Sequence, residues 1–310
     1  MFFFHGAPMS RLHLVGMEEQ FAAQGLRVVS PDRPGYGRSS PQPGRSLGDW
    51  PADVAALADA LGVDRFLVAG HSSGGPYAVV CAALLGERVR GGVVLAGVTD
   101  MAWPGAWDGY LEGRKEIQIM RLPDERAAIA TCAEHFGADG SGFLAEQFDL
   151  PQPDTALLAD EAVEQALTAT LAEAFRQGVT GYAQDVYLEG RGWHFDPSRI
   201  SAPIAVLHGE LDTLVPMAQS PHGRGDLELD LPCSPRPRPP HDPVRAADGG
   251  FRAPAVGALM YCPGRTVGRL ASVGRAVVSS RTVAATNNRT SASRSRRSRS
   301  QRSTALNGSY

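Results

Sequence analysis

Gly70-His71-Ser72-Ser73-Gly74 follows the apolar run of residues 66–69 and leads into a helical pattern that carries Cys81 at an apolar position. Placed between a strand and a helix, this G-x-S-x-G stretch reads as a nucleophile turn. Such a tight turn forces its central residue into a strained backbone conformation, and side chains two residues to either side would collide with neighbouring elements. Glycine at 70 and 74 removes both collisions. The turn lifts the Ser72 hydroxyl above the carboxyl ends of the strands, where open α/β sheets bind ligands. Ser72 is the candidate nucleophile, and a Gly/Ser-rich turn without chemistry is the alternative reading.

Outward from this turn, short apolar runs alternate with amphipathic stretches over residues 1–100, the βαβα rhythm of a parallel sheet with helices on both faces. Strands are predicted at residues 2–4, 26–30, 66–69 and 93–96. Helices are predicted at 11–24 and 47–61, each closed by a glycine, Gly25 or Gly62, that can take the left-handed C-cap conformation. Pro51 falls in the first turn of the second helix, where a missing N–H costs little. Residues 101–199 lose the strand rhythm and carry helix signals, strongest at 159–177, which predicts an inserted helical cap. Trp103, Trp107, Tyr110 and Trp193 either line a pocket there or form the core of the cap. The sheet returns at Ile204-Ala205-Val206-Leu207, and residues 200–217 complete the core. No repeat period is visible.

An acyl-transfer serine needs donors for the oxyanion. The Ser73 N–H, at a helix start, is one. His5-Gly6-Ala7-Pro8 follows the first strand, and because Pro8 has no N–H the second donor is Ala7. His5 reads as structural.

The 310 residues carry a net charge of −3, which hides a division. Residues 1–217 hold 28 acidic and 15 basic side chains, and residues 218–310 hold 5 and 15. Lys115 is the sole lysine, so the arginines reflect G+C-rich coding before any functional demand. Past residue 217 the periodicity fails, giving way to a proline-rich run at 232–240 and an Arg/Ser tract at 289–303. That composition buries too little apolar surface to offset ordering entropy, so a disordered, basic C-terminal tail is expected over residues 218–310. The clustered arginines of the 289–303 tract could contact nucleic-acid phosphates, but no aromatic residue interleaves with them before Tyr310, and nucleic acid is not the expected partner. The four cysteines, Cys81, Cys132, Cys233 and Cys262, show no metal-like spacing and are expected as free thiols. No leader and no run of 18 apolar residues occurs, so a soluble cytoplasmic protein without membrane contact is expected. Neither cofactor nor metal is expected.

Four ordered landmarks together resemble the α/β-hydrolase fold-1 superfamily, in its serine hydrolase branch. They are His5-Gly6-Ala7-Pro8, Pro31-Asp32-Arg33-Pro34-Gly35-Tyr36-Gly37-Arg38-Ser39, Gly70-His71-Ser72-Ser73-Gly74-Gly75 and His208-Gly209-Glu210-Leu211-Asp212. The resemblance spans about residues 2–217. It implies a doubly wound, mostly parallel sheet, with Asp212 as the triad acid and Asp100 as the second choice. Serine at 72 departs from the branches with an aspartate nucleophile, so the implied reaction is acyl transfer from a small ester, thioester, amide or related carbonyl through an acyl-enzyme.

The same resemblance makes Phe2-Phe3-Phe4 the family's third strand, so an N-terminal truncation is expected. The family's triad histidine sits in a Pro-Gly-x-Gly-His-like turn after one more strand. His241 lies 29 residues past Asp212 and is the candidate, with His222 behind it, although no strand signal precedes His241. Reading the permitted codons one base later from Leu227 allows a strand followed by Gly-His at Pro239. A shifted reading frame after about residue 217 is therefore expected, and with it a weak or inactive hydrolase. A damaged, non-catalytic remnant of the fold and a binding protein with a basic tail are the alternatives.

Overall fold

The computed structural model describes residues 1–110, 113–144, 150–209 and 211–216. The expected disordered tail, Cys233, Cys262, His222 and His241 lie outside the described residues. The chain begins with β1 (Phe2–Phe4), a 3-10 turn at Arg11–Leu14 and α1 (Glu18–Ala23). A second 3-10 turn, Leu47–Asp49, runs into α2 (Trp50–Ala60), followed by β2 (Phe66–His71), α3 (Gly74–Leu84) and β3 (Val89–Leu95). Among the described residues six helices then intervene: α4 (Lys115–Met120), α5 (Glu125–Phe136), α6 (Ser141–Leu144), α7 (Gln152–Leu158), α8 (Glu161–Ala174) and α9 (Thr180–Glu189). β4 (Ile204–Leu207) closes the described sheet.

The strands lie in the order β1-β2-β3-β4, all parallel. In β1 the period-2 alternation of a strand sends Phe2 and Phe4 to one face and Phe3 to the other. All three are at most 2% exposed, so both faces are covered. Phe2, Phe4, Phe66 and Val68 pack with Trp50 and Val54 of α2 and Tyr77, Ala78 and Cys81 of α3. Phe3 and Ala69 pack with Leu14, Phe21, Val93 and Leu95 on the opposite side. Complete burial of a phenylalanine contributes roughly 1.5–3 kcal/mol. The sheet is thus doubly wound, as the βαβα rhythm predicts. α3 is buried from Gly74 through Ala83, the signature of a helix apolar on all sides.

Several element bounds differ from the sequence reading. The strand predicted at 26–30 is reduced to an isolated parallel bridge between Phe2 and Val29, because Pro31 has no N–H to continue the ladder. The helix predicted at 11–24 is split: Gly16 adopts φ +90°, which no right-handed helix accommodates. β3 starts four residues before the predicted strand, through Gly91 and Gly92. A Cβ on Gly92 would lie 2.8 Å from Ile204 Cδ1 and 3.0 Å from Val68 O, so these glycines serve a close approach between strands despite low strand propensity. Gly25 and Gly62 do take positive φ directly after α1 and α2. Pro51 sits in the first turn of α2, behind a capping box in which the Ser46 N–H donates to Asp49.

The helical insertion has its own core, built on Ile119, Cys132, Phe136, Phe175 and Tyr182, and it takes in Met9 and Tyr36 from loops that follow the sheet strands. This packing seats α4, α5, α8 and α9 over the loop end of the sheet. Trp193 stacks on Phe195 at 5.4 Å and joins the core beneath the sheet, which settles its role as packing. Trp103, Trp107 and Tyr110 gather around Val98, Met101, Ala106 and Val215. Cys81 and Cys132 are buried free thiols, each pushed up by burial, Cys132 to about 12. Among the described residues no helix is long and apolar enough to cross a membrane.

Candidate active site

Ser72 lies between the end of β2 and the start of α3 with φ +52°, a left-handed conformation that costs an L-residue about 1–2 kcal/mol. Neighbouring backbone holds it there. Its N–H donates to Leu95 O at 2.8 Å, and its carbonyl accepts from Gly75 N at 2.8 Å and Val98 N at 3.3 Å. The flanking glycines are required by backbone: a Cβ at Gly70 would come within 2.0 Å of Gly74 O, and one at Gly74 within 2.1 Å of Phe4 O. The first contact closes the turn upon itself and the second presses it against β1. Half-buried, Ser72 remains at the surface of the turn while Ser73 is 4% exposed.

The segment after β1 reaches the same point. A Cβ built on Gly6 would be 3.5 Å from Ser72 Cβ and 3.0 Å from His71 Nδ1, so the backbone before Ala7 passes alongside the serine. Among the described residues nothing accepts from the Ala7 or Ser73 N–H, and Ser73 is the N-cap of the 11-residue helix α3. His5 is structural: its Nδ1 is 2.7 Å from Gly6 O, and its Nε2 accepts from Arg33 N at 3.2 Å. Burial and the Arg33 charge hold its pKa well below the ordinary histidine value.

Asp212 lies in the turn beyond β4. Its Oδ1 accepts from Leu214 N and Val215 N, each at 2.9 Å, and its Oδ2 is 3.3 Å from His208 Nε2, which is also 2.7 Å from Val215 O. Burial opposes its ionisation, but hydrogen bonds from His208, Val215 and Leu214 prevail and hold the carboxyl below its ordinary pKa. Asp212 therefore shapes its turn and carries a negative charge. Asp100, the second choice for the acid, accepts from Ala102 N at 3.0 Å and Trp193 N at 3.1 Å and tethers the loop after β3 to the chain leaving α9. The structure brings Ser72, Ser73 and the Gly6-Ala7 segment together.

Two buried groups escaped the sequence reading. Glu189, at the end of α9, is 4% exposed, its Oε1 has no hydrogen-bond partner among the described residues, and its carboxyl takes a hydrogen bond from the Ser73 side chain. Burial pushes it up to about 8, and the negative charge of Asp185 adds to this. Asp185 itself is held well below the ordinary carboxylate range. Burial works against its charge, but Arg33, Arg45 and the Tyr77 hydroxyl outweigh it. The available signal was an i,i+4 pair of carboxylates on the stripe of α9 that also carries Tyr182 and Val186. Among the described residues no cluster of three or more His, Cys, Asp or Glu is placed to hold a metal ion.

A family profile described as alpha/beta hydrolase fold matches residues 1–250, and so runs past residue 217. The chain is 36% identical to an uncharacterized hydrolase of Bacillus subtilis, over 68% of this chain and 74% of that protein. It is 28% identical to a non-heme chloroperoxidase of Streptomyces lividans, over 70% and 76% of the two chains. It is 26% identical to a bifunctional esterase/perhydrolase of Acinetobacter calcoaceticus, over 74% and 79%.

Proposed function

This chain belongs to the alpha/beta hydrolase fold family, and from that premise we propose that it is a serine hydrolase acting on a small carboxylic ester or related acyl compound through an acyl-enzyme. The observation that carries the reading is Ser72 at φ +52°, on a turn that only glycine at 70 and 74 allows to close. Ser72 Oγ attacks the carbonyl carbon, and the oxyanion accepts from the N–H groups of Ala7 and Ser73. The triad histidine takes the serine proton and returns it to the leaving alcohol, while Asp212 orients that ring and stabilises its cationic form. Water, activated by the same base, releases the acid. His241 is the histidine proposed for this step; it lies outside the described residues. The helical insertion acts as a cap that covers the acyl group.

The relatives named for perhydrolase and chloroperoxidase activity favour a second acceptor for the same intermediate, hydrogen peroxide in place of water. Two measurements test the proposal. A fluorophosphonate probe should label the wild-type chain at Ser72 and leave Ser72→Ala unlabelled. Para-nitrophenyl acetate turnover should fall at least 10³-fold in Ser72→Ala; equal turnover in the two proteins overturns the mechanism. His241→Ala separates a complete triad from a partial one. A chain whose histidine does not reach Ser72 keeps only the residual catalysis of oxyanion hole and binding, roughly 10³–10⁴ over water.

A further inference from the structure

We propose that Arg33, clamped by Asp185 of the helical insertion, is a positioning residue that aims the Ala7 N–H at the oxyanion. This rests on the serine hydrolase reading above. Arg33 and Asp185 have fully buried side chains. The guanidinium donates through Nη1 to His5 O and through Nη2 to Gly6 O at 3.4 Å, while Nε and Nη2 lie 2.8 and 2.6 Å from Asp185 Oδ2. The other carboxylate oxygen accepts from Arg45 Nη2 at 2.5 Å and from the Tyr77 hydroxyl at 2.6 Å. The Tyr77 ring lies 4.7 Å beneath the Arg33 guanidinium. One planar cation therefore joins a helix of the insertion to two consecutive carbonyls of the segment beside Ser72.

The geometry of one peptide unit gives this its consequence. Gly6 C=O and Ala7 N–H belong to the same planar trans group and point in opposite directions. Whatever fixes the Gly6 carbonyl also fixes the Ala7 N–H. The carbonyl accepts from Arg33 Nη2, from His5 Nδ1 at 2.7 Å and from Met9 N at 2.9 Å. The His5 ring is in turn held by Arg33 N–H at 3.2 Å. Arg33 thus contributes to two of the three restraints and separately anchors the preceding carbonyl. Lysine, a point charge without the planar fork, cannot reach both carbonyls and the carboxylate together.

The test compares wild type, Arg33→Lys and Val54→Ala. Val54→Ala removes buried apolar volume from α2, outside the Arg33–Asp185 cluster and residues 5–7, and serves as the control for general loosening. Two readouts are taken: steady-state kinetics on para-nitrophenyl acetate, and amide hydrogen exchange of residues 5–10 against residues 66–71. For Arg33→Lys the expected result is a kcat lower by roughly ten- to a hundredfold, given that a whole oxyanion donor is worth 10²–10³, with KM within about threefold. Exchange over residues 5–10 should quicken at least about tenfold while β2 stays within about twofold. Val54→Ala should hold kcat within about threefold. Unchanged kcat and unchanged exchange in Arg33→Lys overturn the proposal, as does an equal kcat loss in Val54→Ala. If Arg33→Lys does not fold, the wild-type Gly6 and Met9 amides decide: exchange as slow as in β2 supports a clamped segment, and exchange at loop rates overturns it. The exchange readout does not depend on catalysis, and fluorophosphonate labelling of wild-type Ser72 tests the hydrolase reading separately.

Discussion

Replacing Glu189 by glutamine keeps the shape of the side chain and removes its titration. The carboxyl is buried at the end of α9 against the Ser73 side chain, with Asp185, Arg33 and Glu116 as its charged surroundings and Tyr110 close by. Its pKa rises from an ordinary 4.5 to about 8, first through burial and then through Asp185. Between those values the unfolded chain has released a proton that the native chain retains, so native stability falls as pH rises through this window. At 1.36 kcal/mol per pKa unit the full window is worth about 5 kcal/mol, of which about 3 to 4 lies between pH 5 and 8. The buried histidines pull the other way. Burial keeps His5 and His13 well below 6.5, so the unfolded state takes up their protons in acid and stability rises with pH there. Wild type alone therefore mixes opposed slopes, and the difference from Glu189→Gln isolates the carboxyl. Urea unfolding of both proteins at pH 5, 6, 7 and 8 should show the variant gaining on wild type by about 3 kcal/mol over the range. A difference that stays constant to within about 0.5 kcal/mol would refute the assignment of Glu189 as neutral in the folded protein.

Ser72→Gly should abolish ester turnover yet raise stability by about 1 kcal/mol, because glycine accepts φ +52° without the steric cost; thermal melts beside activity assays check it. Gly74→Ala drives a Cβ to within 2.1 Å of Phe4 O, a backbone atom that no rotamer change can move, so a loss of about 3 kcal/mol or failure to fold is expected in denaturant titration. Asp212→Asn retains an acceptor for the Leu214 and Val215 N–H groups but loses the charge, so turnover should drop by roughly 10⁴ while stability shifts by less than about 1 kcal/mol. Turnover within threefold of wild type would remove Asp212 from the triad. Sequencing the gene across codons 210–245 checks the reading frame, and a frame that cannot encode Gly-His near Pro239 dismisses the shifted reading.

The glycine-flanked turn that carries Ser72 was legible because its determinants are adjacent in sequence. Both glycines, the serine and the two flanking elements fall within about twenty residues; Gly70 answers a clash with the turn's own backbone, and Gly74 one with Phe4 O of β1. Elements whose bounds depend on distant partners were less legible. The glycines at 91 and 92 look like the end of a strand, yet they let Val68 and Ile204 approach from the strands on either side. Gly16 looks like a tolerated helix residue and is a break. Asp185 and Glu189 were legible only as an i,i+4 pair of acids on one helical stripe. The partners of Asp185, Arg33 and Arg45, are 152 and 140 residues away, and a lone acidic residue on a helix reads as solvated until tertiary structure buries it.

Those two carboxyls, one helical turn apart on α9, show how a single environment sustains opposite ionisation states. Burial disfavours charge on both. Asp185 overcomes it because two guanidiniums and the Tyr77 hydroxyl converge on its oxygens within 2.8 Å. Glu189 has the Ser73 side chain and a lesser pull from Arg33 on its side, but burial, Asp185 and Glu116 outweigh them, so it keeps its proton. The two residues bound the fold from opposite directions. Protonating Asp185 in acid uncouples two buried arginines, and ionising Glu189 in base places a poorly compensated charge beside Ser73. α9 therefore carries the carboxylate bonded to Arg33 and, one turn on, a carboxyl whose ionisation costs the fold stability as pH rises.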